Sequence, residues 1–220
     1  MMSESMHILI VTAVAAERDA VLRGLGDASG DRFDVRSVGV GPAAAAAGTA
    51  MILAERSYDL VISAGIAGGF RGGAELGELV LADRIIAADL GAETPDGFES
   101  VDELGFGSAV VESDPVLLAR CQEALQAAGL AVHTGPVLTL STVTGTADTA
   151  ELLSRRIPGA LAEAMEGYGA AVAAQARSLP VLELRAISNH VGPRDRLAWR
   201  IKEALDALAD ASAALKGVFA

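Results

Sequence analysis

The sequence predicts an α/β protein, a three-layer α/β/α sandwich around a mostly parallel or mixed central sheet. The first indication is that short β-branched runs alternate along the chain with longer Ala- and Leu-rich stretches. The second is composition: 51% of the residues are apolar but only 4% are aromatic, and small apolar side chains suit closely packed helix–sheet layers. The third is that no linker, repeat or low-complexity segment interrupts the 220 residues. We therefore expect a single domain covering residues 1–220.

The strands are predicted from short runs rich in Val, Ile and Leu, the pattern of strands that are buried on both faces. In chain order these runs are Ile8–Val14, Phe33–Val38, Leu60–Ala64, Leu79–Ala88, Val132–Thr134, Val137–Thr142 and Val181–Ile187. Glycines follow the third run, so we expect the chain to leave the sheet there in a loop over Gly65–Gly73.

Helices are predicted between these strands and at the end of the chain. Five cover about Glu17–Leu25, Pro42–Arg56, Pro115–Ala128, Thr149–Arg156 and Tyr168–Arg177. Pro42 fits a first helical turn, where its missing N–H is not needed. Asp195 is the predicted N-cap of a sixth, closing helix. The buried face of that helix is predicted from the helical spacing of Ile201, Leu205, Leu208, Leu215 and Phe219.

The charge balance restricts the class of partner. The 17 Lys and Arg residues against 29 Asp and Glu residues give a net charge of −12. This argues against nucleic-acid binding, which needs clustered Lys and Arg, but not against a small nucleoside ligand. The segment Met1–Met6 is short and polar, and no stretch approaches 18 charge-free apolar residues. We therefore expect a soluble cytoplasmic protein with no membrane partner.

The cysteine and histidine residues give little indication of a catalytic or metal-binding role. Cys121 is the only cysteine, and its helical spacing with Leu117, Leu118 and Leu125 favours a buried packing role over a nucleophile. The three histidines are scattered, and no cysteine–histidine metal cluster, Walker loop or Gly-x-Ser-x-Gly elbow is present. We expect no metal and no organic cofactor.

The candidate site is expected at the carboxyl ends of the strands, where open α/β sheets bind ligands. Glu17 follows the first predicted strand, the glycine segment follows the third, and Ser188-Asn189-His190 follows the last. Between two predicted helices lies Glu163-Ala164-Met165-Glu166-Gly167. Glu17 also has a purely structural interpretation, since a carboxylate favours a helix N-terminus. Arg185, at the end of a buried strand, needs a partner, and Glu17 is the expected one.

A competing interpretation is a non-catalytic nucleotide-binding module. Gly39-x-Gly41-x-x-Ala44 matches the dinucleotide fingerprint with Ala in the third glycine place. The expected acidic residue at the end of the following strand is missing, however, because that strand ends in Ser63-Ala64. The match is therefore a weak one.

Four segments, taken together and in this order, resemble the purine nucleoside phosphorylase/nucleosidase superfamily. They are Glu17 after the first strand, Gly65-Ile66-Ala67-Gly68-Gly69, Ala164-Met165-Glu166, and Arg185-Ala186-Ile187-Ser188-Asn189. The resemblance covers nearly the whole chain and implies cleavage of the N-glycosidic bond of a purine nucleoside. It implies no cofactor, and it implies a homodimer or a higher homo-oligomer in which a neighbouring subunit helps to close the pocket.

The resemblance also implies roles for individual residues. Glu17 would orient or deprotonate the attacking water, with Arg185 near it, and Asn189 would face the leaving base. Glu166 would accept hydrogen bonds from the ribose hydroxyls, and Met165 would pack under the sugar. The remaining substrate contacts implied are Ile66, Ala67, Gly68, Ala147 and Thr149. Asp148 stands where related adenosine-type nucleosidases carry an aromatic residue near the base.

Within the superfamily the chain is most similar to the hydrolases that cleave futalosine in menaquinone biosynthesis. The segments that carry this likeness are Gly91–Phe98, Thr144–Ala147, Met165–Gly167 and Ser188–Asp195. Asn189 stands where adenosine-type nucleosidases carry Asp. An amide cannot deliver a proton to the purine, but it can donate hydrogen bonds to a 6-oxopurine, so hypoxanthine is the expected leaving base. The alternatives are a methylthioadenosine or aminofutalosine nucleosidase and a purine nucleoside phosphorylase; Ser63, where phosphorylases place a phosphate-binding Arg, favours water.

Overall fold

The computed structural model describes residues 6–28 and 32–219, so most of the polar N-terminal segment lies outside the described residues. The strands are β1 (Ile8–Thr12), β2 (Phe33–Ser37), β3 (Leu60–Gly69), β4 (Leu79–Ala87), β5 (Gly91–Thr94), β6 (Gly97–Ser100), β7 (Val110–Glu112), β8 (Val132–Thr139), β9 (Ala162–Ala164) and β10 (Val181–His190). The helices are α1 (Ala15–Leu25), α2 (Pro42–Glu55), α3 (Pro115–Ala127), α4 (Ala147–Arg156), α5 (Gly167–Gln175) and α6 (Ile201–Leu215), with 3₁₀ turns at Gly26–Ala28 and Arg196–Ala198.

The central sheet is mixed and partly closes on itself. β3 pairs with β10, β10 with β4, β4 with β8, β8 with β9, and β9 returns to β3. β1 and β2 extend the sheet from the first half of β3 in parallel register. The parallel pairs β1–β2, β1–β3, β3–β10, β4–β8 and β8–β9 outnumber the antiparallel pairs β3–β9, β4–β7 and β4–β10. The predicted mixed, mostly parallel sheet is confirmed.

Helices cover both faces of this sheet, which confirms the three-layer prediction. In β1, Ile8 and Ile10 belong to a core shared with α1, α3 and α6, whereas Leu9 and Val11 belong to a core shared with α2 and α5. Alternate residues of a strand face opposite sides, so one buried strand supplies both cores. A smaller hydrophobic cluster packs α4 against β4 and β8 through Leu153. The structure also confirms the packing role of Cys121, which is fully buried beside Leu125.

The predicted loop after the third strand is wrong in its first half, because β3 continues through Gly65 to Gly69. These glycines adopt strand geometry instead of turn geometry; the first positive φ after them is at Gly72. β10 likewise extends to His190 and pairs with this part of β3 through a bulge between Ile187 and Asn189. Pairing between the two extended strand ends keeps both segments in the sheet, an interaction that neither segment reveals alone.

Other elements differ from the predictions for reasons of tertiary pairing. β8 is one strand rather than two, because a register shift against β4 between Ala82 and Ile85 accommodates the Gly135-Pro136 step. β7, β9 and the β5–β6 hairpin were not predicted. β9 is only three residues long and is held between β8 and β3, so its sequence carries little strand signal.

The N-cap prediction for the closing helix is also wrong. Asp195 accepts a hydrogen bond from the Leu197 backbone N–H at 3.1 Å and caps the short 3₁₀ turn, while α6 begins six residues later at Ile201. Trp199, between the two, is extended and separates them. Ile201 consequently lies 42% exposed at the start of α6, whereas Leu208 and Leu215 are buried as predicted.

None of the helices within the described ranges is long and apolar enough to cross a membrane.

Candidate active site

A cavity of about 410 Å³ lies where the carboxyl ends of β1, β3 and β10 meet the segment after β9. Three carboxylates, Glu17, Glu163 and Glu166, line it together with Asn189 and apolar surface. The other lining residues are Ala13, Val14, Val40, Ile66, Ala67, Gly68, Val143, Ala164, Met165, Ser188 and Trp199. The set contains no Lys, Arg or His side chain, so the described walls of the cavity favour positive charge over negative charge.

Glu17 is held rigidly at the third position of α1. Its Oε2 accepts the backbone N–H groups of Ala13 and Val14 at 3.0 and 3.2 Å, and its Oε1 accepts that of Ile66 at 2.9 Å. The first two bonds cap the helix, so the structural and catalytic interpretations of Glu17 are compatible. Burial raises the pKa of the Glu17 carboxyl, although the charge of Arg185 and the Ile66 hydrogen bond oppose this. A buried carboxylate of raised pKa is the arrangement expected of a general base.

Gly65 lies in the buried strand β3 at a point where there is no room for a side chain. A Cβ at this position would lie 2.5 Å from Glu17 Oε1 and 2.6 Å from Arg185 Nη1. Gly65 is also the direct partner of Arg185 in the β3–β10 register. The missing side chain therefore provides the space in which the carboxylate and the guanidinium approach each other.

Arg185 does not form the expected direct ion pair with Glu17. Its Nε donates to Glu183 Oε1 at 2.8 Å, its Nη2 donates to Ser63 Oγ at 3.1 Å, and its Nη1 lies 3.5 Å from Glu166 Oε2. The guanidinium is 1% exposed and lies behind the cavity wall. Burial opposes its charge, but Glu183, Glu166 and Glu17 outweigh that effect and raise the pKa of Arg185. Sequence reasoning missed Glu183; the Glu-x-Arg spacing in an apolar strand was the available signal.

Glu166 is fixed from two directions. Its Oε1 accepts the backbone N–H of Gly41 and its Oε2 that of Met165, both at 3.2 Å. Gly41 has a φ of +94°, a backbone conformation that glycine adopts without strain. The Gly39-x-Gly41 motif therefore turns the chain into α2 and supplies a donor to a cavity carboxylate.

A smaller cavity of about 110 Å³ continues from the first on the Asn189 side. Asn189 Nδ2 donates to the His190 carbonyl at 3.0 Å, and Asn189 Oδ1 accepts from Ser188 Oγ at 2.9 Å. These bonds fix the orientation of the amide and leave one N–H donor for a ligand. The two cavities share Gly68, Val143, Glu163, Asn189 and Trp199 as walls.

Glu163 lies across Gly68 from Asn189. A Cβ on Gly68 would lie 3.2 Å from Asn189 Nδ2 and 3.6 Å from Glu163 Cγ. The Glu163 carboxylate accepts the backbone N–H of Thr144 at 2.8 Å and its hydroxyl at 2.6 Å. Burial raises its pKa against these two hydrogen bonds. Glu163 was seen in the sequence only as a neighbour of the Met165 motif.

Trp199, the single tryptophan of the chain, forms part of the wall of both cavities. The Arg194 guanidinium lies 5.2 Å from its ring centroid and that of Arg196 lies 5.6 Å away, within the range of cation–π attraction. Asp148, which stands where the resemblance places an aromatic residue near the base, is exposed in the first turn of α4. An aromatic wall is therefore supplied from a different segment.

The structure brings seven of the ten predicted site residues to the main cavity: Glu17, Ile66, Ala67, Gly68, Met165, Glu166 and Asn189. Arg185 lies directly behind them. Thr149 lines a separate cavity of about 550 Å³ beside the β5–β6 hairpin, and Ala147 is exposed at the start of α4. Within residues 6–28 and 32–219, no group of three or more His, Cys, Asp or Glu side chains is placed to hold a metal ion.

The fold and the site together define a class of protein. A family model described as the phosphorylase superfamily matches residues 25–219, and the chain belongs to this superfamily. The solved 5'-methylthioadenosine/S-adenosylhomocysteine nucleosidase from S. pneumoniae with the inhibitor MT-ImmA superimposes with a TM-score of 0.83, covering 98% of this chain and 100% of that one. At 24% identity this likeness establishes the fold.

Among curated proteins, similarity is high to futalosine hydrolases. The chain is 56% identical to futalosine hydrolase from Streptomyces coelicolor over 94% of its length and 93% of the relative's. It is 49% identical to futalosine hydrolase from Acidothermus cellulolyticus, over 96% and 91% of the two chains. These relatives confirm the predicted superfamily and the predicted branch within it.

Proposed function

We propose that the protein is an N-glycosidase that hydrolyses futalosine, releasing hypoxanthine and dehypoxanthine futalosine. The relatives at 56% and 49% identity support the substrate. The acidic cavity supports the reaction, and it is the observation that carries the proposal. Menaquinone biosynthesis would be the pathway served, and the cytoplasm the expected compartment.

The charge of the cavity favours water over phosphate as the nucleophile. Glu17, Glu163 and Glu166 line it, and no basic side chain does among the described residues. A phosphate dianion would meet three carboxylates, and the charge of Arg185 behind the wall is already shared between Glu183, Glu166 and Glu17. Its binding would therefore carry a high electrostatic cost in a partly buried site. Ser63 is buried and accepts a hydrogen bond from Arg185, so it offers no anion site either. A sugar that develops positive charge is stabilised by the same carboxylates.

In this proposal each side of the cavity has its own role. Glu17, fixed by three backbone N–H groups, orients and deprotonates the water that attacks the anomeric carbon. Glu166, fixed by Gly41 and Met165, accepts hydrogen bonds from the ribose hydroxyls, while Met165 packs against the sugar. Negative charge that develops on the departing purine is stabilised by the free N–H of Asn189. No cofactor takes part in these steps.

Glu163 extends base recognition to a second hydrogen bond. Hypoxanthine carries an N–H at ring position 1, whereas adenine carries only an acceptor nitrogen there. Both Glu163 oxygens accept donors from Thr144, and these hydrogen bonds favour the ionised form against the rise in pKa that burial causes. In our proposal this carboxylate accepts the purine N–H and selects against adenine, and Trp199 covers the face of the base.

The outer end of the cavity suits the 5′-aryl group of futalosine and a second subunit. Val14 and Val40 line the cavity but stay 42% and 55% exposed. Apolar residues in such a rim are stabilised when an aryl group or another chain covers them. We therefore retain the homodimer or higher homo-oligomer as part of the proposal, and light scattering coupled to size exclusion measures it directly.

The activity is tested with futalosine in phosphate-free buffer. We expect hypoxanthine and a free-sugar product in equal amounts, with no increase in rate when phosphate is added. Strict phosphate dependence with a sugar 1-phosphate product would instead identify a phosphorylase. Turnover of methylthioadenosine or aminofutalosine without turnover of futalosine would overturn the base assignment.

Asn189→Asp is expected to shift base preference. A carboxyl group at this position can hold a proton for an adenine leaving group, so the ratio of kcat/KM for aminofutalosine over futalosine should rise by about tenfold or more. Glu163→Gln should shift the ratio in the same direction, because an amide can donate to the adenine ring nitrogen. A parallel loss with both substrates would contradict this account of base selection.

A further inference from the structure

A fourth buried carboxylate, Glu183, lies outside the cavity and has no role in the steps above. Glu183 and Arg185 are alternate residues of β10, so their side chains share one face of the sheet. Glu183 is fully buried, and its Oε1 accepts the Arg185 Nε–H at 2.8 Å. Among the described residues its Oε2 has no hydrogen-bond partner. A buried carboxylate is costly unless a cation and hydrogen bonds compensate its charge, and Arg185 provides that compensation for Glu183.

The three nitrogens of the Arg185 guanidinium have three different neighbours. Nε is held by Glu183 and Nη2 by Ser63, both within hydrogen-bond distance. Only Nη1 points to the site, 3.5 Å from Glu166 Oε2 and close to the position that a Gly65 Cβ would occupy, which Glu17 Oε1 approaches as well. Because the guanidinium is planar and rigid, two fixed nitrogens determine the position of the third.

The backbone of the same chain at Gly167 leaves space for the Glu183 carboxylate. A Cβ on Gly167 would lie 2.3 Å from both carboxylate oxygens of Glu183. Gly167 is the first residue of α5 and directly follows Glu166, and its φ is not in the positive range. Its backbone therefore does not require glycine, but the space occupied by the carboxylate does.

We infer that Glu183 is a positioning residue: it holds Arg185 by Nε so that Nη1 lies between Glu166 and Glu17 without closing into an ion pair with Glu17. The inference deepens the proposed function, since it assumes that Glu17 is the base that activates water. Without Glu183, the guanidinium would be free to turn and pair directly with Glu17, the arrangement that the sequence alone led us to expect.

Electrostatics supports the same role. The charged groups that face Glu17 are Arg185 and Glu166, and those that face Arg185 are Glu183, Glu166 and Glu17. Burial raises the pKa of Glu183, with Arg185 opposing this. The positive charge of Arg185 is therefore shared by Glu183, Glu166 and Glu17. Sharing its charge leaves Glu17 with the raised pKa described above, whereas a direct pair would lower that pKa and weaken the base.

The first test is Glu183→Gln, which keeps the shape of the side chain but removes the negative charge that holds Arg185 Nε. We expect the acidic limb of the kcat/KM profile to move to lower pH, because Arg185 then acts more strongly on Glu17. The plateau kcat should fall about tenfold with a smaller change in KM, since the base is weaker. Glu183→Asp, which keeps the charge, should lie closer to the wild type in pH midpoint.

The pKa of Glu17 is also measured without any substrate. The carbon-13 resonance of the Glu17 carboxyl, identified by its absence in Glu17→Gln, should titrate at a lower pH in Glu183→Gln than in the wild-type chain. This readout separates the inference from the proposed function: lack of futalosine turnover would overturn the function and leave the titration intact. An unchanged Glu17 titration would overturn the positioning role even if kcat falls.

Gly167→Ala provides a second, independent variant. Its methyl group should displace the Glu183 carboxylate and shift the Glu17 titration in the same direction as Glu183→Gln. In a Glu183→Ala background the same change should add no further shift, because no carboxylate remains to be displaced. An equal shift from Gly167→Ala in both backgrounds would contradict the inference, as would no shift in either.

Discussion

Replacing Glu17 with Gln is expected to lower the kcat for nucleoside hydrolysis by about 10²- to 10⁴-fold, the contribution typical of a general base. Gln keeps the size of the side chain and one acceptor oxygen for the backbone N–H groups that hold the two oxygens of Glu17, but its NH2 group accepts no hydrogen bond and the amide cannot take a proton from water. Ligand affinity should change little, because Glu166 and Asn189 remain. Steady-state kinetics and equilibrium binding of hypoxanthine measure the two effects separately.

The pH dependence of the wild-type enzyme follows from the same carboxyl group. Glu17 is active as a base only when ionised, and burial raises its pKa above the ordinary value of 4.5. The kcat/KM should therefore fall as the pH is lowered through this raised pKa, and the acidic limb should be lost in the residual activity of Glu17→Gln. A Gln variant with wild-type kcat would show that water is activated elsewhere.

Gly65→Ala is expected to lower kcat/KM by about 10²-fold, the scale reported for misplacing reacting groups by an ångström. The strand backbone accepts Ala, since φ at Gly65 is not positive. The new methyl group, however, would lie 2.5 Å from Glu17 Oε1 and 2.6 Å from Arg185 Nη1, so both charged groups must move. The melting temperature should fall as well, because both displaced groups are buried, charged and held by hydrogen bonds, so the kinetics are compared well below the melting temperature of the variant.

The matched control is Gly217→Ala, near the end of the chain. Its Cβ would meet one backbone oxygen at 3.8 Å, an ordinary contact, and its φ is also not positive. This variant should keep wild-type kinetics. Equal losses in Gly65→Ala and Gly217→Ala would indicate a general effect of replacing glycine, and full activity in Gly65→Ala would show that the strand is not crowded at this point.

Much of the fold was predictable because its strands and helices carry strong local signals. Residues Ile8–Val11 alternate between two cores, and Pro42 marks the first turn of α2 as expected. The strands that were not predicted are short or form only by pairing with strands distant in sequence. β9 has three residues and is held by strands distant in sequence, and the glycines of β3 indicate a turn unless the partner strand β10 is known.

The same distinction between local signals and tertiary pairing applies to the residues of the site. Glu17, Glu166 and Asn189 were predictable because each stands in a polar segment at a strand or helix end, whereas Met165 followed from the resemblance to the superfamily. Glu163 and Trp199 were not, since they approach Asn189 only through the closure of β9 onto β3 and the extended chain before α6. The expected pair between Glu17 and Arg185 failed because Glu183, two residues before Arg185 on the same face of β10, holds the guanidinium instead.

The sequence by itself determined the α/β class, the layered architecture and the chemistry available at the carboxyl ends of the strands, because alternation and periodicity are local properties of the chain. Only the tertiary structure decided which carboxylate pairs with Arg185, which glycines are needed for space, and which aromatic residue forms the cavity wall. These depend on distances between segments far apart in sequence, such as Gly167 against Glu183 and Gly65 against Glu17, and those distances are set by packing alone.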